Sequence, residues 1–200
     1  MVYSPLVSGL SAGLMPTYNS LDSWVWPIAK GRSGVFGDGW TTILDTASVD
    51  AGGAVDGSLR VRFGSGRMAL LPPVEGSSGS AWLAPSHLLV ASVSRASNGG
   101  YRWAFQSGAV WSFDPSGALV STVDLNGSGT TITRDSSQMP TRFVTTYDGI
   151  AVEAWDLIDT GSDGLLDRVV GPYDASLSSA PTGSPTVQAS YDSLGRLVGL

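Results

Sequence analysis

Nowhere in this chain do apolar side chains recur at helical spacing over a helix length without a glycine or proline interrupting them. What recurs is alternation, in short runs punctuated by glycine. Alternation puts every second side chain on one face of a strand. In "YRWAF" that face carries Tyr101, Trp103 and Phe105, and in "AVWSF" it carries Trp111 and Phe113. Gln106-Ser107-Gly108 between them is short enough for a hairpin. "ALVSTVD" and "TTITRD" flank a turn containing Asn126-Gly127, and "TRFVTTY" meets "IAVEAW" across Asp148-Gly149, a link suited to a type I′ turn.

Upstream, "TTILDTASVD", "SLRVRF", "RMALL" and "HLLVASVSRA" read as strands, with turns at Gly52-Gly53, Gly64-Ser65-Gly66 and Asn98-Gly99-Gly100. "PPVEGSSGSAWLAPS" and "ASLSSAPTGSPT" read as surface loops. The expectation is an all-β chain, an irregular array of antiparallel hairpins forming a curved open sheet. A boundary near residue 75 separates an N-terminal segment (1–75) from the hairpin array (76–200).

Composition agrees. Glycine occupies 26 of 200 positions, roughly twice the usual ~7%, without a collagen-like period. All the acidic residues but Glu75 and Glu153 are aspartate, which favours turns over helix. A net charge of −6 with no basic stripe argues against a nucleic-acid partner. With no cysteine, disulfides, thiolate metal sites and cysteine nucleophiles are excluded together. No apolar run is long enough for a membrane helix. The opening "MVYSPLVSGLSAGLMPTYN" lacks the charged and apolar regions of a signal peptide, so any export signal is expected elsewhere.

An aromatic-Asp pair recurs at Phe113-Asp114, Tyr147-Asp148, Tyr173-Asp174 and Tyr191-Asp192, with a glycine three residues beyond the Asp only at Gly117 and Gly195. The fuller copies are "FDPSGALV" and "YDSLGRLV", carrying Phe113, Asp114, Gly117 and Leu119 in one, and Tyr191, Asp192, Gly195, Arg196 and Leu197 in the other. A ring on such a strand can pack against the ring of the next hairpin, the Asp can accept turn N–H groups, and Gly195 permits a positive φ. Arg196 is placed to pair with an Asp of a neighbouring hairpin.

At these residues the chain resembles the RHS (rearrangement hotspot), or YD-repeat, family of bacterial proteins, whose animal relatives include the teneurins. "YDSLGRL" matches the family's Tyr-Asp-x-x-Gly-Arg-Leu core at every fixed position, whereas the other copy has Phe113 for Tyr and Ala118 for Arg. A second stretch, with Tyr18, Asn19, Ser20, Phe36, Gly37, Gly39 and Trp40, is similar to the segment that precedes the repeats in many bacterial members. The resemblance covers about residues 16 to 200. It implies hairpins joined edge to edge into a hollow shell around a C-terminal, commonly toxin, domain of a larger secreted or cell-surface protein. The implied partners are further repeats and that C-terminal domain of the same polypeptide, with no cofactor and no catalysis by this segment.

Other chemistry competes with this reading. In "DTGSDGLLD", Asp159, Asp163 and Asp167 fall at calcium-loop positions, but Gly161 and Val170 stand where two oxygen ligands belong, so a plain aspartate turn is the expectation. His87, the single histidine, has no nucleophile motif beside it and reads as a strand-edge residue. Glycosidase-type carboxylate pairs arise by chance among so many turn aspartates. "GDG" and "GSGR" lack the Lys and helix of a phosphate loop. Seven tryptophans suggest an alternative function, a carbohydrate- or cell-wall-binding module stacking sugars on Trp103 and Trp111, against the plainer role of filling a core or wall.

Overall fold

A computed structural model describes residue 14 and residues 16–18, 34–50, 57–64 and 67–200. The fold is all-β and antiparallel. Strands β1 (Thr17–Tyr18) and β2 (Trp40–Thr41) form a short pair, and β3 (Ala47–Asp50), β4 (Leu59–Arg62) and β5 (Met68–Leu71) form a three-stranded sheet. The largest sheet is a ten-stranded meander. Its strands are β6 (Ala81–Trp82), β7 (Val90–Arg95), β8 (Tyr101–Phe105), β9 (Val110–Phe113), β10 (Leu119–Val123), β11 (Gly129–Arg134), β12 (Pro140–Tyr147), β13 (Ile150–Ile158), β14 (Arg168–Asp174) and β15 (Thr186–Gln188), each paired to the next. A final hairpin joins β16 (Ser190–Tyr191) to β17 (Leu197–Gly199).

The alternation that defined the strands also fills the core. Val93, Trp103 and Trp111 lie opposite one another across β7, β8 and β9, and Tyr101 lies opposite Phe113. Trp103 is fully buried, with Phe113, Phe105 and Phe63 ring centroids 6.0, 6.2 and 5.9 Å away. Further along the sheet Ile132, Phe143 and Trp155 continue the buried face through β11, β12 and β13. Phe63 and the buried Leu59, Val61 and Leu71 bring the three-stranded sheet into the same cluster, so one core runs across position 75. Trp82 Nε1 donates to Gly57 O at 2.9 Å across that junction.

Six turns among the described residues share one five-residue framework, at 96–100, 105–109, 114–118, 124–128, 135–139 and 192–196. In each, the first N–H donates to the fifth carbonyl, the fourth N–H donates to the first carbonyl, and the fourth residue has positive φ. This is a type I turn closed by a left-handed residue, a standard hairpin link. Five of the six put glycine at that position; the sixth puts Gln138 there at φ 69°. Four begin with Asp, and the Oδ1 of Asp114, Asp124, Asp135 and Asp192 accepts the fifth residue's N–H at 2.8–3.0 Å. The carboxylate thus satisfies donors that the reversing chain would otherwise leave open.

The structure bears out one local expectation and corrects others. Asp148 and Gly149 have φ of 49° and 77° between the paired Tyr147 and Ile150, as a type I′ link requires. That makes Tyr147-Asp148 a different turn from the framework above. Asp174 also departs from it, since its carboxylate accepts Ser176 N inside a longer loop. The loop expected after Pro72 contains β6, because Trp82 pairs with Val93 and bridges Pro73. The strand expected from Thr41 to Asp50 is broken by a 3-10 turn at Ile43–Asp45. His87 lies exposed in a second 3-10 turn, Ser86–Leu88, rather than at a strand edge.

Candidate functional site

The two stretches that carry the family resemblance meet. Residues 34–40 fold on themselves through Gly37 N to Gly34 O (3.0 Å) and Trp40 N to Gly37 O (3.2 Å). Gly37, at φ 91°, approaches the last turn so closely that a Cβ there would lie 2.5 Å from Gly195 O. Phe36 is buried, and Trp40 packs on Tyr18 with ring centroids 5.1 Å apart. Gly39 is buried and Asp38 exposed; Asn19 and Ser20 lie outside the described residues.

From there the segment runs along the turns at one end of the meander. Val35 O accepts Leu166 N at 2.8 Å, Thr46 O accepts Leu119 N at 3.1 Å, and Leu44 O accepts Arg134 Nη2 at 2.7 Å. Tyr191 joins the same place, its hydroxyl donating to Leu166 O at 2.7 Å. Beneath these contacts lies Asp45, buried in the 3-10 turn. Its Oδ1 accepts Val35 N at 2.9 Å and its Oδ2 accepts Thr42 N at 2.8 Å, which closes the loop between them. Thr42 Oγ1 in turn accepts Leu44 N at 3.1 Å, and Thr42 and Asp45, each accepting the other's backbone N–H, form a capping box.

Two arginines flank Asp45. Arg62, fully buried, donates from Nη1 to Asp45 O at 3.3 Å, and Arg134 reaches in from β11, also donating from Nη1 to Gln138 O at 3.1 Å. Burial pushes the Asp45 carboxyl above its ordinary value, while the two guanidinium groups and the Thr42 and Val35 amides pull the other way. Burial likewise lowers Arg134 to about 10, opposed by Asp45 and Asp114. The cluster is a fastening, since its oxygens hold backbone of the N-terminal segment and its arginines hold carbonyls.

The two repeat copies differ in surroundings. Phe113, Ala118 and Leu119 are buried under the N-terminal segment, where a phenol or a guanidinium would need partners. In the last hairpin the Arg196 side chain is 64% exposed and binds its own turn's Asp192, with Nε 2.7 Å and Nη2 2.6 Å from Oδ2. Arg196 thus engages the carboxylate of its own turn. The Arg196 amide and side chain hold the Asp192 carboxyl below its ordinary value. Leu197 is half-buried against the core.

The remaining candidates have local duties. Asp159 accepts Asp163 N (3.2 Å) and Gly164 N (3.0 Å), Asp163 accepts Leu165 N (3.0 Å), and Asp167 accepts Thr160 N (2.5 Å). These carboxylates organise their own loop, and among the described residues no three His, Cys, Asp or Glu converge as a metal site would need. Trp103 has no exposed surface and Trp111 is half-buried beside Phe105, 5.0 Å between centroids. The pair fills the core, the plainer of the two roles, and does not form the exposed platform that the alternative of sugar stacking needs.

A second polar cluster, like that around Asp45, was not legible in the sequence. The Tyr173 hydroxyl donates to Asp156 Oδ1, and Asp156 Oδ2 accepts Ala180 N at 2.8 Å. Arg142 stacks 5.6 Å from the Tyr173 ring centroid and donates to Ala175, Leu177 and Ser178 carbonyls at 3.0, 2.6 and 3.2 Å. Burial and Asp156 push Tyr173 up to about 12. These groups pin the loop after β14 onto the sheet. A lone arginine in "PTRFVTTY" carried no signal of this, because its hydrogen-bond partners lie 33 or more residues away.

Among the described residues no helix is long and apolar enough to cross a membrane. No family model matches this chain, and no curated protein matches it at a significant level.

Proposed function

We propose that this chain is a structural wall segment of an RHS or YD-repeat shell that encloses a C-terminal domain, a toxin in the bacterial pattern, of a larger secreted or cell-surface protein. The observation that carries this reading is the contact between Gly37 and Gly195. It joins the pre-repeat segment to the best-matched repeat turn, two stretches far apart in sequence that resemble the same family. A single meander with Asp-headed turns supports a wall. So does a polar cluster whose groups all engage backbone, which suits fastening better than catalysis. The partners are the other hairpins and the C-terminal domain of the same polypeptide.

Protease protection tests the proposal. The natural polypeptide containing this chain is digested beside a variant in which Asp45→Ala and Arg134→Met loosen the N-terminal segment. Enclosure predicts a C-terminal domain that survives in the first and is degraded in the second. A domain cut as fast in the intact polypeptide as when free would rule enclosure out.

A further inference from the structure

The chain contains two Asn-Gly pairs, Asn98-Gly99 and Asn126-Gly127, and the turn framework places them identically, each Asn third and each Gly fourth. Both asparagines are exposed, and both following amides donate to the first carbonyl of the turn, Gly99 N to Ala96 O at 3.0 Å and Gly127 N to Asp124 O at 3.2 Å. They differ in what the side chain does. Asn98 Oδ1 accepts Gly100 N at 3.0 Å, because the turn begins with Ala96 and offers no other acceptor. In the second turn Asp124 Oδ1 takes that part, accepting Asn126 N and Ser128 N at 2.8 Å each. Among the described residues the Asn126 side chain has no hydrogen-bond partner.

From this contrast we propose that Asn126 is a site of spontaneous deamidation in the folded protein, converting well ahead of Asn98. Gly127 N attacks Asn126 Cγ, a C–N bond forms, and ammonia leaves with the proton from Gly127. Water then opens the resulting succinimide, at the side-chain carbonyl to give aspartate or at the backbone carbonyl to give isoaspartate. Attack requires the Asn side chain to swing over the following amide. Asn126 is free to do so, whereas Asn98 must first release Gly100 N. Isoaspartate lengthens the main chain by one carbon inside a turn that is docked against its neighbour, where Gly149 N donates to Gly127 O at 3.1 Å and Asp148 N to Ser128 Oγ at 3.3 Å. The product therefore loosens the tie between the β10–β11 and β12–β13 turns.

The full chain, aged at mildly alkaline pH and mapped by mass spectrometry with electron-based fragmentation, reads both sites in one sample. Asn126 converts several-fold faster than Asn98. In Ala96→Asp the new carboxylate takes over Gly100 N, and Asn98 accelerates towards the rate of Asn126. Equal rates in the parent, Asn98 converting first, or an Asn98 rate unmoved by Ala96→Asp would each overturn the proposal. So would two intact asparagines in the folded chain under conditions where a urea-unfolded sample converts both.

Discussion

Replacing Arg134 by methionine keeps most of the apolar stem and removes the guanidinium that links β11 to the N-terminal segment. The structure assigns that group two short bonds, to Leu44 O at 2.7 Å and Gln138 O at 3.1 Å, and a place beside the buried Asp45. Breaking a buried charge pair by removing one partner costs roughly 3–5 kcal/mol. Asp45 keeps Arg62 and the Val35 and Thr42 amides, which puts the expected loss near the low end, about 3 kcal/mol. With a urea dependence of about 2 kcal/mol per molar, the unfolding midpoint drops by about 1.5 M.

The loss depends on pH with a definite sign. Asp45's folded pKa is raised, so the stability it contributes is fully present below its ordinary 3.8 and is lost as pH rises through the folded value. Removing Arg134 raises that value further. The deficit of Arg134→Met is therefore larger once pH has risen through the folded Asp45 value than it is below 3.8. A loss under about 1 kcal/mol, the scale of an exposed ion pair, or one independent of pH, would refute the fastening role.

Gln138→Gly places glycine where the other five framework turns have it. Relief of about 1–2 kcal/mol of left-handed strain outweighs about 0.4–1 kcal/mol of added unfolded-state entropy, so urea unfolding moves to higher midpoint. Gly37→Ala does the reverse. A Cβ at positive φ and 2.5 Å from Gly195 O costs more than the about 1–2 kcal/mol of the backbone conformation alone, and it shifts the NMR amide signals of Gly195 and Arg196. Asp192, with its pKa depressed, contributes stability present above 3.8 that is lost as pH falls through the folded value. The Leu194 and Arg196 amides, both bonded to Asp192 Oδ1, titrate only below 3.8, and Asp192→Asn removes that step.

Local rules were legible where the code is local. Asp148-Gly149 announced its turn because two positive φ values suit few other pairs. The hairpins around Gln106-Ser107-Gly108 and Asn126-Gly127 followed from alternation and glycine in the same way. The repeat was only half legible. Reading it as aromatic-Asp drew attention to Tyr147 and Tyr173, while the physical unit is the Asp-headed turn, preceded by Val123 at Asp124 and by Arg134 at Asp135. Gln138 hid one copy further, since nothing in its side chain marks a left-handed position. Asp45 was one aspartate among fifteen, and its arginines come from β4 and β11. Charge partners drawn from distant strands leave no spacing to read.

Hydrogen exchange at two amides tests most directly whether the N-terminal segment is fastened across the turns. Leu119 N–H is held by Thr46 O and Leu166 N–H by Val35 O. The account predicts that both exchange as slowly as the central-strand amides of Ile132 and Phe143, and that Arg134→Met speeds the first pair selectively. Fast exchange at Leu119 and Leu166 in the unaltered protein, beside slow exchange at Ile132 and Phe143, would contradict it.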